Sequence, residues 1–151
     1  MESIQWSCQP FDALTPRELY AILQLRNEVF VVEQNCVFQD ADNKDFYAWH
    51  LMAWQEGVLV AYTRLLPQGI SYEYASIGRV VNSPSVRGSG IGKKLMTRSI
   101  EQLFSLWGAQ PIQIGAQYYL LHFYESFGFK AMGEIYVEDG IDHIEMLRIP
   151  T

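Results

Sequence analysis

"SPSVRGSGIGKKLM", residues 83–96, carries three glycines in five positions (Gly88, Gly90 and Gly92) and then becomes helical in pattern. A chain that bends sharply, keeps side chains off its backbone and then starts a helix is suited to holding an anion. The first N–H groups of a helix lack internal partners, and the helix dipole favours negative charge there. Glycine lets the backbone close on the oxygens of a ligand.

Spacing decides which anion. A Walker A loop needs G-x-x-x-x-G-K-[ST]. Arg87 stands where its first glycine belongs, and Lys94 where its hydroxyl belongs. The dinucleotide fingerprint G-x-G-x-x-G begins with Gly88 and Gly90 but meets Lys93 in place of its third glycine. It also falls too late in a chain with no second βαβ half. A third pattern, [QR]-x-x-G-x-[GA], is met by Arg87, Gly90 and Gly92 with Ile91 between. It follows the β-branched stretch ending Val80-Val81-Asn82, and it opens a helix with Leu95, Met96, Ile100, Leu103, Phe104 and Trp107 on one side.

The surrounding chain punctuates clearly. "SIQWSCQ" predicts a first strand. "TPRE", residues 15–18, starts a helix with a capping threonine, a proline at the first helical position and a glutamate completing a capping box. Leu19, Ile22, Leu23, Arg26, Val29 and Phe30 then recur at helical spacing. "VEQNCVFQDADNKDF" is polar and reads as a loop or a short second helix. "AWHLMAWQ" and "VLVAYTRLL" predict a hairpin through Glu56-Gly57, and "ASIGRVVN" a further strand halted by Pro84. After the helix over 91–107, "IQIGAQ" is a buried strand and "YYLLHFYESF" a short helix. "FKAMGEIYVE" and "IDHIEMLRI" form a hairpin through Asp139-Gly140. This order gives an α/β (α+β) fold: a mostly antiparallel sheet of six to seven strands flanked by helices.

The 151 residues suit a single domain spanning 1–151. A net charge of −6 argues against a global nucleic-acid surface. Cys8 and Cys36 match no metal-ligand spacing, so no metal is expected; they read as reduced thiols of a cytoplasmic protein. The opening residues have neither the basic nor the apolar region of a signal peptide, and no apolar run approaches membrane-spanning length.

A second motif follows the glycine stretch at a suitable distance. "IGAQYYLLHFYESFGF", residues 114–129, together with the loop at 87–92, resembles the GNAT N-acetyltransferase superfamily. Gln117 stands where many members carry Asn or Gln, and Tyr124 is the tyrosine of the family's "FYxxxGF" segment. "LYAILQLRNEVFVVEQNCVFQDAD", "IGRVV", "IGAQYYL" and "EIYVEDGIDHIEM" are similar to the ElaA-like branch, over about residues 4 to 148. The segment between Asp42 and His50 departs from the longer, Gly- and Asp-rich loop of relatives.

The resemblance implies acyl transfer from acetyl-CoA to an amine by direct attack. It assigns cofactor contacts to Val80, Val81 and Asn82 along the pantetheine arm, and to Arg87, Gly88, Ser89, Gly90, Ile91, Gly92 and Lys93 around the pyrophosphate, with Gln117 nearby. It gives Tyr124 the role of the acid that reprotonates the leaving thiolate. The family's strand glutamate is Ser76 here, so the base must lie elsewhere: Glu33, Asp42, His50, Glu73 and His143 are candidates, and a water chain is another. Arg26 and Arg79 sit in apolar settings and need partners, for which Glu33 is available. A non-catalytic acyl-CoA-binding module and, more remotely, an acyl-homoserine-lactone synthase remain open readings, as does a homodimer.

Overall fold

The Thr15 cap sets the first helix. Its hydroxyl accepts from Glu18 N at 3.1 Å, while Thr15 N donates to Glu18 Oε1 at 2.8 Å, closing the expected box. The computed structural model describes residues 3–151. Helix α1 (Pro16–Arg26) runs on without a break as a wider π-helical segment over Asn27–Glu33. It therefore reaches beyond the periodicity visible in the sequence. Strands β1 (Gln5–Pro10), β2 (Trp49–Gln55), β3 (Val58–Leu66) and β4 (Ser76–Asn82) form one antiparallel sheet in the order β1-β2-β3-β4. Helix α2 (Ile91–Trp107) follows, then β5 (Ile112–Gln117), the short α3 (Leu121–Glu125), β6 (Lys130–Glu138) and β7 (Ile141–Arg148). The last three strands make a second antiparallel sheet in the order β5-β7-β6. Asp139 and Gly140, with φ of 51° and 77°, make the tight turn between β6 and β7.

Seven strands are present, within the expected six to seven, but they divide into two sheets rather than one. Among the described residues the sheets are joined by a single parallel bridge, Ala75 to Ile112, where Gln113 N donates to Ala75 O at 2.9 Å. Beyond that bridge β4 and β5 part. The edges of Ile77–Asn82 and Ile114–Gln117 face one another across a gap.

Helices cover both faces of the first sheet. Ile22, Leu25 and Val29 of α1 pack on Met52, Leu59 and Tyr62. Ile91 and Leu95 of α2 pack on Leu51, Ala53 and Val60 from the other side. Strand β3 is buried on both faces after Val58, which is why it reads as a nearly continuous apolar run, broken by Thr63 and Arg64, rather than an alternation. Farther along α2, Met96 and Leu103 join Leu65, Ile112 and Met146 in a core shared by both sheets. None of the described helices is long and apolar enough to cross a membrane.

Candidate active site

Two free strand edges cannot stay apart without something holding them so, and β4 carries the cause. Its register against β3 slips between Tyr62 and Arg64: Tyr62 pairs with Val81, but Arg64 pairs with Gly78. The extra residue is a bulge at Arg79, whose φ is 49°. Bulges bend a strand and re-aim its backbone. A non-glycine residue in the left-handed region persists only when its surroundings fix it. Here they do. Arg79 Nε lies 2.8 Å from Asp40 Oδ1 in a close ionic contact, and Arg79 Nη2 donates to Asp40 O at 2.9 Å and to Asp42 Oδ2 at 3.3 Å.

Those aspartates belong to a larger cluster. Arg26, fully buried, donates to Asp40 Oδ2 and Asp45 Oδ1 at 2.7 Å each. Arg64 takes Asp42 in two bonds, 2.8 and 3.0 Å, and reaches Asp45 at 3.2 Å. Three guanidinium groups thus meet three carboxylates, and the polar segment 40–45 is fastened to the sheet. Burial alone would raise the Asp42 carboxyl, but Arg64 and then Arg79 pull it down to about 2. Glu33, expected as the partner of Arg26 or Arg79, is not in this cluster.

The gap between β4 and β5 is a cleft of about 640 Å³. The edge of β4 from Ile77 to Asn82 forms one wall, and Ile114, Gly115 and Gln117 form the other. At one end stands the glycine stretch. Gly90 caps α2 with φ of 83°, a conformation costly for any residue with a Cβ, so the first N–H groups of α2 are left open toward the cleft end. Gly92 lies beside Asn82 and Phe123: a Cβ there would sit 3.3 Å from Asn82 Nδ2. Asn82 Oδ1 is buried and has no hydrogen-bond partner among the described residues. Tyr124, only 6% exposed, lines the cleft from α3. Burial, and then Tyr119, raise its phenol well above the ordinary value.

Residues 21–149 match the model of the acetyltransferase (GNAT) domain family. The chain belongs to the GNAT acetyltransferase family. Protein ElaA of Escherichia coli K12 is 44% identical over 147 residues, 96% of each chain. The crystal structure of Escherichia coli ElaA superimposes with a TM-score of 0.91 at 42% identity, covering 97% of this chain and 99% of that one. An acyl-CoA N-acyltransferase from Pseudomonas aeruginosa superimposes with a TM-score of 0.90 at 45% identity, over 95% and 99%. The fold is that of the GNAT acyltransferases.

Within this GNAT domain, most residues singled out from the sequence come together. Val80, Val81, Asn82, Arg87, Gly92, Gln117 and Tyr124 line the cleft, with Glu33 and His143. Gly88, Ser89, Gly90, Ile91 and Lys93 lie in or next to the glycine turn that leads into α2. Gln117 exchanges two amide hydrogen bonds of 3.3 Å with Gln34 across the cleft. Glu33 donates nothing and accepts from Arg87 in two short bonds, 2.5 and 2.6 Å. That bonding holds its carboxyl below the usual range, which makes it a poor base.

His50 is the clear correction. It is fully buried and does not line the cleft. Its Nδ1 is 2.6 Å from Tyr62 Oη and its Nε2 is 3.0 Å from Asp45 O, so both nitrogens are occupied inside the core. Burial also lowers its pKa and keeps it neutral. Among the other base candidates, Asp42 is bound by Arg64 and Arg79, and Glu73 lines neither the cleft nor the space beside it. His143 stays in place. Its Nδ1 lies 2.7 Å from Ile141 O, which fixes the proton on Nδ1 and leaves Nε2 as the lone-pair nitrogen. Glu138 Oε2 is 3.7 Å from that Nε2, and the Tyr136 ring stacks on the imidazole at 5.7 Å.

Several neighbours of the site were not picked out from the sequence. Gln34 and Tyr72 carried no signal, since both lie in irregular polar stretches. Gly115 did carry one: a glycine inside a strand marks a close approach.

Proposed function

We propose that the protein transfers the acetyl group of acetyl-CoA to an amine by direct attack. The observation that carries this reading is the parted pair β4 and β5, with a helix N-terminus at one end of the gap and Tyr124 on its wall. Arg87 and the amides over Gly88–Lys93 suit a pyrophosphate. The unpaired edge at Val80–Asn82 suits an extended arm that brings its own amides, as a sheet edge takes a further strand. Asn82 Oδ1, buried and unpartnered, would accept one of those amides.

The chemistry then divides among the chain's own groups. The amine nitrogen attacks the thioester carbonyl, forming the C–N bond. The N–H at Val80, re-aimed by the Arg79 bulge, stabilises the developing oxyanion, a contribution of about 3 kcal/mol for one such donor. The C–S bond breaks with its electron pair on sulfur. Tyr124, protonated at neutral pH, gives the thiolate its proton. His143 takes a proton from the amine on Nε2, and Glu138 stabilises the imidazolium so formed.

Tyr124→Phe tests the assignment. Turnover, followed by thiol release against a panel of amines, should fall about a hundredfold, while acetyl-CoA affinity by calorimetry stays unchanged. Unchanged turnover would remove Tyr124 from the reaction.

A further inference from the structure

Asp40 is held twice by each of two arginines. Arg26 Nε donates to Asp40 Oδ2 at 2.7 Å, and Arg26 Nη2 to Asp40 O at 3.3 Å. Arg79 Nη2 donates to Asp40 O at 2.9 Å. Arg79 Nε stands 2.8 Å from Asp40 Oδ1, an ionic contact rather than an aligned hydrogen bond. The carboxylate and the backbone carbonyl of one residue thus tie the end of α1 to the bulge of β4. Arg26 is fully buried, so α1 supplies a fixed point. A planar guanidinium set on two oxygens of one residue fixes direction as well as distance.

The sheet does not supply that direction. Gly78 pairs with Arg64 and Val81 with Tyr62, which leaves Arg79 and Val80 together opposite Thr63. Strand register therefore does not dictate how the peptide between Arg79 and Val80 is turned. That planar peptide carries the Val80 N–H, and its direction follows the dihedrals at Arg79, whose φ is 49°. A residue with a Cβ leaves the left-handed region once released, because the extended region is lower in energy. The other tether is weaker. Arg79 meets Asp42 at 3.3 Å, and Asp42 gives its shorter bonds, 2.8 and 3.0 Å, to Arg64.

We infer that Asp40 is a positioning residue for acyl transfer: through Arg79 it holds the bulge in its left-handed conformation and so aims the Val80 N–H at the thioester carbonyl oxygen. This rests on the acetyl-transfer reading above and extends it to a side chain outside the cleft, since Asp40 does not line it. An oxyanion donor acts by being oriented before the charge develops. Here that orientation comes from a carboxylate on the polar segment that follows α1.

The test reads the carbonyl itself. Acetyl-CoA isotopically labelled at the thioester carbonyl is bound to the purified protein, and its stretching band is followed by difference infrared spectroscopy. Asp40→Asn keeps the shape of the residue and its backbone carbonyl, but it turns an NH2 group toward one of the two guanidiniums. The band should move to higher wavenumber than in the unaltered protein, as a loosened donor polarises the C=O bond less. The kcat for the fastest amine of the panel should fall at least about tenfold, a part of the roughly 10²–10³ that loss of a whole oxyanion donor costs. Affinity for free CoA, which has no acyl carbonyl, should stay within about twofold. Asp42→Asn removes a carboxylate of the same cluster but only the longer contact to Arg79; it should lower Tm and leave the band in place. Arg79→Lys covers the case in which Asp40→Asn does not fold. It keeps the bonds between Asp40 and Arg26, lacks the planar fork, and should raise the band in the same way. A band unmoved by Asp40→Asn, or by Arg79→Lys where Asp40→Asn does not fold, overturns the positioning role and leaves acetyl transfer standing. So does a band moved as far by Asp42→Asn. Failure of acetyl-CoA to bind the unaltered protein overturns both readings.

Discussion

Replacing Arg26 by Met separates the charge of the guanidinium from its volume. Arg26 is 0% exposed and holds Asp40 and Asp45 at 2.7 Å each. Removing one partner of a buried ion pair costs about 3–5 kcal/mol, because the other charge is left without compensation. Here the strandedness is partial. Asp45 keeps Arg64 at 3.2 Å, and Asp40 keeps Arg79 at 2.8 Å. The lower end, about 3 kcal/mol, is therefore expected. For a chain of this size that corresponds to a fall in Tm of about 6–12 °C. Differential scanning calorimetry, checked by urea unfolding at neutral pH, measures it. If Arg26 served only as packing, Met would fill most of its space and the loss would stay under about 1.5 kcal/mol. A loss that small would refute the view that the Arg–Asp cluster fastens residues 40–45 to the sheet.

Two further outcomes follow from the same structure. Gly115→Ala should destabilise the fold by about 1–3 kcal/mol, read as a lower urea midpoint, since its Cβ meets the Tyr72 and Tyr136 hydroxyls at 2.9 Å; an unchanged midpoint would show that both phenols move aside freely. Acid should loosen the fold through the cluster. Asp42 and Asp45 are held below their unfolded values, so their stabilisation is full above about pH 4 and is lost as pH falls below it, toward about 2 for Asp42; urea midpoints that do not change between pH 5 and pH 3 would contradict this.

How legible the molecule was depended on the range of the interactions. The bounds of α2 and β5 follow from glycines, a proline and an apolar face, all local, and they appear at Ile91–Trp107 and Ile112–Gln117 as read. The capping box at Thr15 is equally local. The glycine loop and Tyr124 were legible because each rests on a short run of residues. The division into two sheets was not, because it arises from one bulge at Arg79 held by aspartates about forty positions earlier. Arg26 and Arg79 announced a need for partners, but a lone sequence does not say which acid folds back to them. Glu33 was named, yet it sits at the end of the π-helical turn, where Arg87 meets it. His50 shows the limit of residue type: a histidine on an apolar strand reads equally as a base or as a core group, and only the contacts with Tyr62 and Asp45 decide. The close approach over Gly115 depends on Tyr72 and Tyr136, from two distant segments, meeting over one glycine, a juxtaposition that no spacing encodes.

The central claim is that the gap between β4 and β5, closed at one end by the glycine stretch, is a site for acetyl-CoA. Calorimetric titration of the purified protein with acetyl-CoA, and with free CoA alongside, tests it most directly. One-to-one binding of both in the micromolar range is the predicted result. No heat from either ligand at millimolar concentration, with the protein folded by calorimetry, would contradict it and leave the glycine stretch as the start of a helix.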